Sequence, residues 1–274
     1  MNIQDIINGC NFQTVADHVI DQGTIFHRRR YGDGDVVYCK TDLTPVLFTE
    51  LSGFQGELVL ITHQSDLAVD DMLFRTRPPC IRKWFAQNAT HQHPDLIPIP
   101  IGLENHAGPS KGGMVDFGFL QTGDFSPPLC KNVDNIYCNF RLHTHPNRLN
   151  IFNFLISSKL GDHAERKTYA EYWKEASRFL FIASPRGNGI DCHRTWEALL
   201  MGSVPIVERH SIYDAFDGLP ILQIEKWEDL VNPDLLAWHI ENHRKGGLFD
   251  NPAKLYMPYW REQVANARKL LGGR

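Results

Sequence analysis

The stretch FIASPRGNGIDCHRTWEALLMGSVPIV, Phe181 to Val207, concentrates the side chains that could do chemistry. It reads as a strand, a glycine-rich polar loop, a short helix, a glycine stop and a second buried strand. A loop of this kind can wrap a phosphate, and the following helix turns its backbone N–H groups and positive dipole end toward that anion. Ser184, Arg186 and the amides near Gly187, Asn188 and Gly189 are suitable donors. Arg194 closes the other end of the loop and can reach the same phosphates, bidentately where geometry allows. Glu197 falls one turn into the helix, where it could accept hydrogen bonds from a ribose. Together these residues point to a nucleotide-linked substrate. The competing structural reading makes the segment a tight strand-to-helix turn, with Asp191 as N-cap and Glu197 in a surface ion pair.

Other chemistries find less support. His91-Gln92-His93 and His143-Thr144-His145 alternate as zinc ligands on a strand can, but no cysteine or carboxylate cluster accompanies them at fixed spacing. A Walker phosphate loop and a Gly-x-Ser-x-Gly hydrolase elbow are absent. The pair Gly187 and Gly189 lacks the third glycine of a dinucleotide fingerprint.

The elements that must hold this segment follow from the rest of the chain. With 274 residues, 42% hydrophobic and 22% charged, it can bury one large core or two smaller ones. A net charge of -4 gives no global nucleic-acid footprint, and His27-Arg28-Arg29-Arg30 reads as a solvated face. The 6 cysteines are scattered with no Cys-x-x-Cys pair, which suits free thiols in a reducing compartment. No leader pattern and no long apolar span is visible, so the expectation is a soluble, cytoplasmic protein.

Strand-like and helix-like runs alternate, which argues for an α/β layered fold. Glu57–Thr62 reads as a strand leading into the polar loop His63-Gln64-Ser65-Asp66. Pro79–Asn88 reads as a helix with Ile81, Trp84 and Phe85 on one side. Leu96–Ile101 is extended, and its two prolines put it at a sheet edge or in a crossing segment. Gly108–Pro128, rich in Gly, Pro and Ser, is the candidate interdomain region. Asn135–Phe140 opens a second unit. A helix is expected from Pro146 to Gly161, another over Tyr169–Ser177, strands over Arg178–Ala183 and Pro220–Ile224, and helices over Trp227–Leu236 and Tyr256–Leu271. From about residue 134 onward this pattern fits a sheet with helices on both faces. Asn139 ends its first strand, at the edge where α/β ligands bind, and with Phe140 and Arg141 could touch the same ligand.

The Ser184–Val207 segment resembles the donor-binding segment of exostosin-like glycosyltransferases and of their shorter relatives in bacteria and large DNA viruses. Ile61–Asp66 and Ile97–Asn105 are similar to further stretches of that family, so the resemblance touches residues 57–105 and 135–230. It implies a GT-B architecture, two Rossmann-like domains facing across a cleft. The N-terminal, acceptor-side domain would take residues 1–133 and the nucleotide-sugar domain residues 134–252, with a final helix in 253–274 packing back on the first. It also implies a donor-binding set of Asn139, Arg141, Ser184, Arg186, Gly187, Asn188, Gly189, Asp191, His193, Arg194 and Glu197. The chain is short for that fold, which implies a trimmed N-terminal domain.

The implied reaction is transfer of a sugar from a UDP-sugar to a hydroxyl of a glycan or glycoprotein acceptor, inverting and without a metal or other cofactor. Helix N-termini and basic side chains can stabilise the departing diphosphate. The base would come from the N-terminal side: Asp66 first, His63 second, Glu104 third, each just after a predicted strand. Asp33-Gly34-Asp35 matches the Asp-x-Asp signature of the other glycosyltransferase architecture, GT-A. It precedes an apolar run rather than ending one, so a turn is expected. A GDP- or dTDP-sugar donor stays open as an alternative, as does a non-catalytic nucleotide- or glycan-binding protein on the same fold.

Overall fold

The computed structural model describes residues 3–24, 29–105, 131–163, 168–247 and 252–272. The expected α/β class is the class observed. The strands form two separate parallel five-stranded sheets, so the protein has two Rossmann-like domains. One compact unit comprises Gln4–Ile101 with Tyr256–Arg274; the other comprises Met1–Ile3 with Gly102–Leu255.

The first unit carries β1 (His18–Ile20), β2 (Val36–Lys40), β3 (Leu58–His63), β4 (Ile81–Ala86) and β5 (Leu96–Pro98) in that spatial order. Among its described residues are the helices α1 (Gly9–Gln13), α2 (Thr44–Glu50) and α3 (Asp71–Arg75), and a last helix from the end of the chain joins them. β3 is buried along its whole length, as a parallel strand covered on both faces must be. Leu60, Trp84 and Leu47 centre the core, and Trp84 Nε1 donates to Thr62 Oγ1 at 2.8 Å, so the indole is buried without an orphaned donor.

The helix expected over 79–88 is instead the strand β4. Ile81, Trp84 and Phe85 have the i, i+3, i+4 spacing of a helix face. However, β4 lies between β3 and β5 and is covered on both sides from Trp84 to Ala86, so spacing there says nothing about a face. Its aromatic and β-branched residues favour the strand. β5 takes the sheet edge, where its proline is tolerated. Asp33-Gly34-Asp35 forms the expected turn: Gly34 has φ +80°, Asp33 accepts from the Glu57 amide at 2.7 Å, and Asp35 binds His18 Nε2 at 2.7 Å.

The second unit holds β6 (Asn132–Cys138), β7 (Gly161–His163), β8 (Phe179–Ala183), β9 (Val204–Glu208) and β10 (Leu222–Ile224). Among its described residues are the helices α4 (Arg148–Ser157), α5 (Tyr169–Ala176), α6 (His193–Leu200) and α7 (Asp234–Arg244). The spatial order is β10-β9-β8-β6-β7. Read from the other edge, that is the doubly wound order 2-1-3-4-5, which reverses direction between β6 and β8. The first sheet runs monotonically and has no such reversal. β8 is buried along its whole length, and its Leu180, Phe181 and Ala183 form the second core with Ile136, Val204, Ile206, Ile151, Leu155 and Trp227.

The helix expected from Pro146 to Gly161 is shorter, Arg148–Ser157. Lys159 turns the chain with φ 60°, and Gly161 opens β7 rather than stopping the helix. A Cβ at Gly161 would meet Cys138 Sγ and Leu155 Cβ at 3.0 Å, so glycine is needed there for close packing. Gly202 does stop α6. It has φ +69°, Ser203 N bonds Ala198 O, and Gly202 N bonds Leu199 O, a Schellman ending. The last helix, α8 (Met257–Leu271), belongs to the first unit. It buries Trp260, Val264, Ala267 and Leu271 on one side, and Arg268 pairs with Asp17 at 3.1 Å. The Gly/Pro/Ser-rich region expected over 108–128, Cys130, and His27 and Arg28 lie outside the described residues. Among those described, no helix is long and apolar enough to cross a membrane.

Candidate functional site

In doubly wound sheets the strand ends beside an order reversal are where ligands generally bind, and here that reversal lies between β6 and β8. The two loops that leave those ends are 139–141 and 184–192. Both were singled out in the sequence; the residue that joins them was not. Arg148, only 6% exposed at the start of α4, donates from Nη1 to the Arg141 carbonyl (3.0 Å), from Nε to Arg186 O (2.8 Å) and from Nη2 to Pro185 O (2.7 Å). Burial pushes its pKa below the ordinary arginine value. A guanidinium nonetheless stays charged throughout the accessible pH range, and no carboxylate among the described residues bonds it. A Cβ at Gly187 would stand 3.3 Å from Arg148 Nη2, so glycine lets the loop close over the guanidinium.

The rest of the loop is built from side chains that bind each other. Ser184 Oγ and Thr195 Oγ1 share a buried hydrogen bond of 2.9 Å, and Ser184 N bonds Ile206 O, tying β8 to α6 and β9. Asp191 is not the N-cap of the structural reading. Its carboxylate accepts from Trp196 Nε1 at 3.0 and 2.8 Å and from Cys192 N at 2.9 Å. The N-cap is Cys192, whose side chain makes no capping hydrogen bond. The N-cap position itself therefore supplies no carboxylate or hydroxyl acceptor to the first-turn amides of α6. Asn188 is exposed and Gly189 buried.

Glu197 does not make a surface ion pair. It is 5% exposed, and its two oxygens accept one hydroxyl each, from Tyr169 and Tyr172 of α5, both at 2.8 Å. Burial first, then the Glu197 charge, drives both phenols well above their usual range, so both remain donors. Arg194 stacks its guanidinium 5.5 Å from the Tyr172 ring centroid. Burial opposes its charge, and Tyr172 and Glu197 outweigh burial, so its pKa rises. The Nε–H groups of Arg186 and Arg194 are both buried with no hydrogen-bond partner.

His193, the first residue of α6, meets a residue from far along the chain. Its Nδ1 lies 2.7 Å from the Gly102 carbonyl, so Nδ1 carries the proton and Nε2 is the basic nitrogen. Nε2 stands 3.8 Å from Glu104 Oε2. His63 and Asp66 belong to the first unit. His63, 1% exposed at the end of β3, donates from Nε2 to the Pro100 carbonyl at 3.1 Å, with its ring 5.3 Å from that of Phe12. Asp66 is exposed on the loop beyond. Asn139 Nδ2 reaches the Tyr137 hydroxyl at 3.4 Å, and the Arg141 side chain is exposed. Among the described residues, no group of three or more His, Cys, Asp or Glu is placed to hold a metal ion. His91 and His93 stack at 6.0 Å and both pack on Phe74.

Ser184 and Arg186 also line a small pocket at the ends of β8 and β9, with Ile190, Val207, His210 and Tyr213. Among known proteins, neither a family model nor a curated sequence matches the chain. Its functional assignment therefore rests on the site itself. Sequence reasoning passed over Arg148, Tyr169, Tyr172 and His210. The tyrosines carried a signal, since Tyr169 and Tyr172 are one turn apart on a predicted helix; Arg148 carried none, because its acceptors are backbone carbonyls.

Proposed function

We propose that the protein is a metal-independent, inverting glycosyltransferase of the exostosin-like, GT-B type, transferring a sugar from a UDP-sugar to a glycan hydroxyl. The observation that carries this reading is the pair of buried Nε–H groups of Arg186 and Arg194 without a hydrogen-bond partner, on a glycine loop that leads into α6 at the order reversal of a doubly wound sheet. Phosphate oxygens are the acceptors such donors match. Two Rossmann-like domains are consistent with GT-B architecture.

In this reaction the acceptor oxygen attacks the anomeric carbon while the bond to the diphosphate oxygen breaks. The diphosphate takes the electron pair, and Arg186, Arg194 and the α6 amides stabilise that charge. Glu197, oriented by its two tyrosines, accepts from the ribose hydroxyls. The base removes the acceptor proton. His63 is buried and engaged with Pro100, which leaves Asp66 and Glu104. Glu104 has Nε2 of His193 3.8 Å away, at the start of the helix that follows the loop, and that placement favours Glu104 with His193. A thermal-shift comparison of UDP, GDP and dTDP tests the donor class. UDP alone should raise the melting temperature, and equal or absent shifts would count against it.

A further inference from the structure

The pocket beside the loop holds one more group suited to an anionic ligand. Most of its polar atoms are already engaged. Ser184 Oγ bonds Thr195, the Tyr213 hydroxyl donates to Ile190 O at 3.3 Å, and Glu208 accepts from Trp227 Nε1 at 3.1 Å. Arg209 pairs with Glu225. What remains is Arg186, with its unpartnered Nε–H, and the imidazole of His210.

His210 begins the 3-10 turn Ser211–Phe216, and its Nδ1 accepts the Ile212 amide N–H at 3.3 Å. That bond fixes the tautomer: the single proton of the neutral ring sits on Nε2. Neutrality is favoured by the surroundings. Burial and the Arg186 charge push the His210 pKa down, and Asp214 opposes them with a smaller effect.

We propose that His210 is a phosphate-binding residue of this site, its Nε2–H donating to a phosphoryl oxygen of the nucleoside diphosphate beside the Arg186 guanidinium. The assignment rests on the nucleotide-sugar reading above. A neutral donor adds a hydrogen bond to the diphosphate without a second full charge next to Arg186.

The test is calorimetric titration of UDP, with uridine as control, into the wild type and the His210→Asn, His210→Gln and Arg186→Ala variants. Asn keeps an acceptor for the Ile212 amide and withdraws the distal N–H. Gln places an amide N–H near the Nε2 position. The expected result is about tenfold weaker UDP binding for His210→Asn at an unchanged melting temperature, with His210→Gln within about threefold of wild type. Wild-type affinity in His210→Asn would overturn the assignment of His210. So would equal losses in both variants accompanied by lower melting temperatures, which would mark a role in the turn alone. If Arg186→Ala weakens UDP while both His210 variants bind normally, only His210 is misassigned. If the wild type binds no UDP, the nucleotide reading fails and the His210 proposal with it.

Discussion

Nη2 of Arg148 donates to the Pro185 carbonyl at 2.7 Å, so the first residue of α4 sets the position of the loop that leads into α6. The same guanidinium binds Arg141 O and Arg186 O, making one buried charge the joint between the loops after β6 and β8.

Replacing Arg148 by Leu removes three charge-assisted hydrogen bonds and leaves loop carbonyls without their donor. We expect a loss of about 2–4 kcal/mol in unfolding free energy, together with weaker UDP binding. Denaturant unfolding and titration check both. Wild-type stability in this variant would mean that the loop holds itself.

The contrast between Arg186 and Arg148 shows what the sequence could and could not convey. The strand–loop–helix unit was legible because its signals lie in residue types close together: a glycine-rich polar loop and a helical pattern ending at Gly202. The residue that positions it was not, since any segment offers carbonyls and nothing local at Arg148 names the loop about forty residues on. β4 was misread because a central strand buried on both faces loses the alternation that distinguishes it from a helix. The strand reversal between β6 and β8 was equally hidden, as pairing order is set by long-range packing. Glu197 was found as a polar residue one turn into α6, but its tyrosine partners on α5 became visible only in three dimensions.

Acid should destabilise the second domain through His239. Its ring packs edge-on to Phe181 at 6.3 Å, Nδ1 has no hydrogen-bond partner, and burial pushes its pKa from 6.5 to about 4. The unfolded chain therefore takes up the proton first. Stability is fully present above the unfolded value and falls as the pH drops from there toward the folded value, by roughly 3 kcal/mol in total. His239→Leu should flatten that slope. The check is denaturant unfolding of both proteins at about pH 7 and about pH 4.5; identical slopes would contradict it.

Glu104→Gln should lower turnover by about a hundredfold or more while leaving UDP affinity unchanged, as expected of a base that does not touch the donor phosphates. His193→Asn should lower it less and alter the pH dependence of the rate, because it removes the nitrogen facing Glu104. Steady-state kinetics across pH, alongside Asp66→Asn, checks the assignment. Full activity in Glu104→Gln with loss in Asp66→Asn would move the base to the first unit.

Sugar transfer should survive EDTA. In the proposed reaction Arg186, Arg194 and the α6 amides would supply the positive charge that a divalent ion otherwise brings to a leaving diphosphate. Abolition by chelation, with rescue by one divalent ion, would refute the metal-free mechanism.

The most direct measurement is calorimetric titration of UDP, without divalent cation, into the wild type and Arg186→Ala. The account predicts micromolar binding by the wild type and a loss of at least about tenfold in the variant, with the melting temperature of the free proteins unchanged. An unchanged dissociation constant in Arg186→Ala, or no UDP binding by the wild type, would contradict it and return the glycine loop to a structural turn.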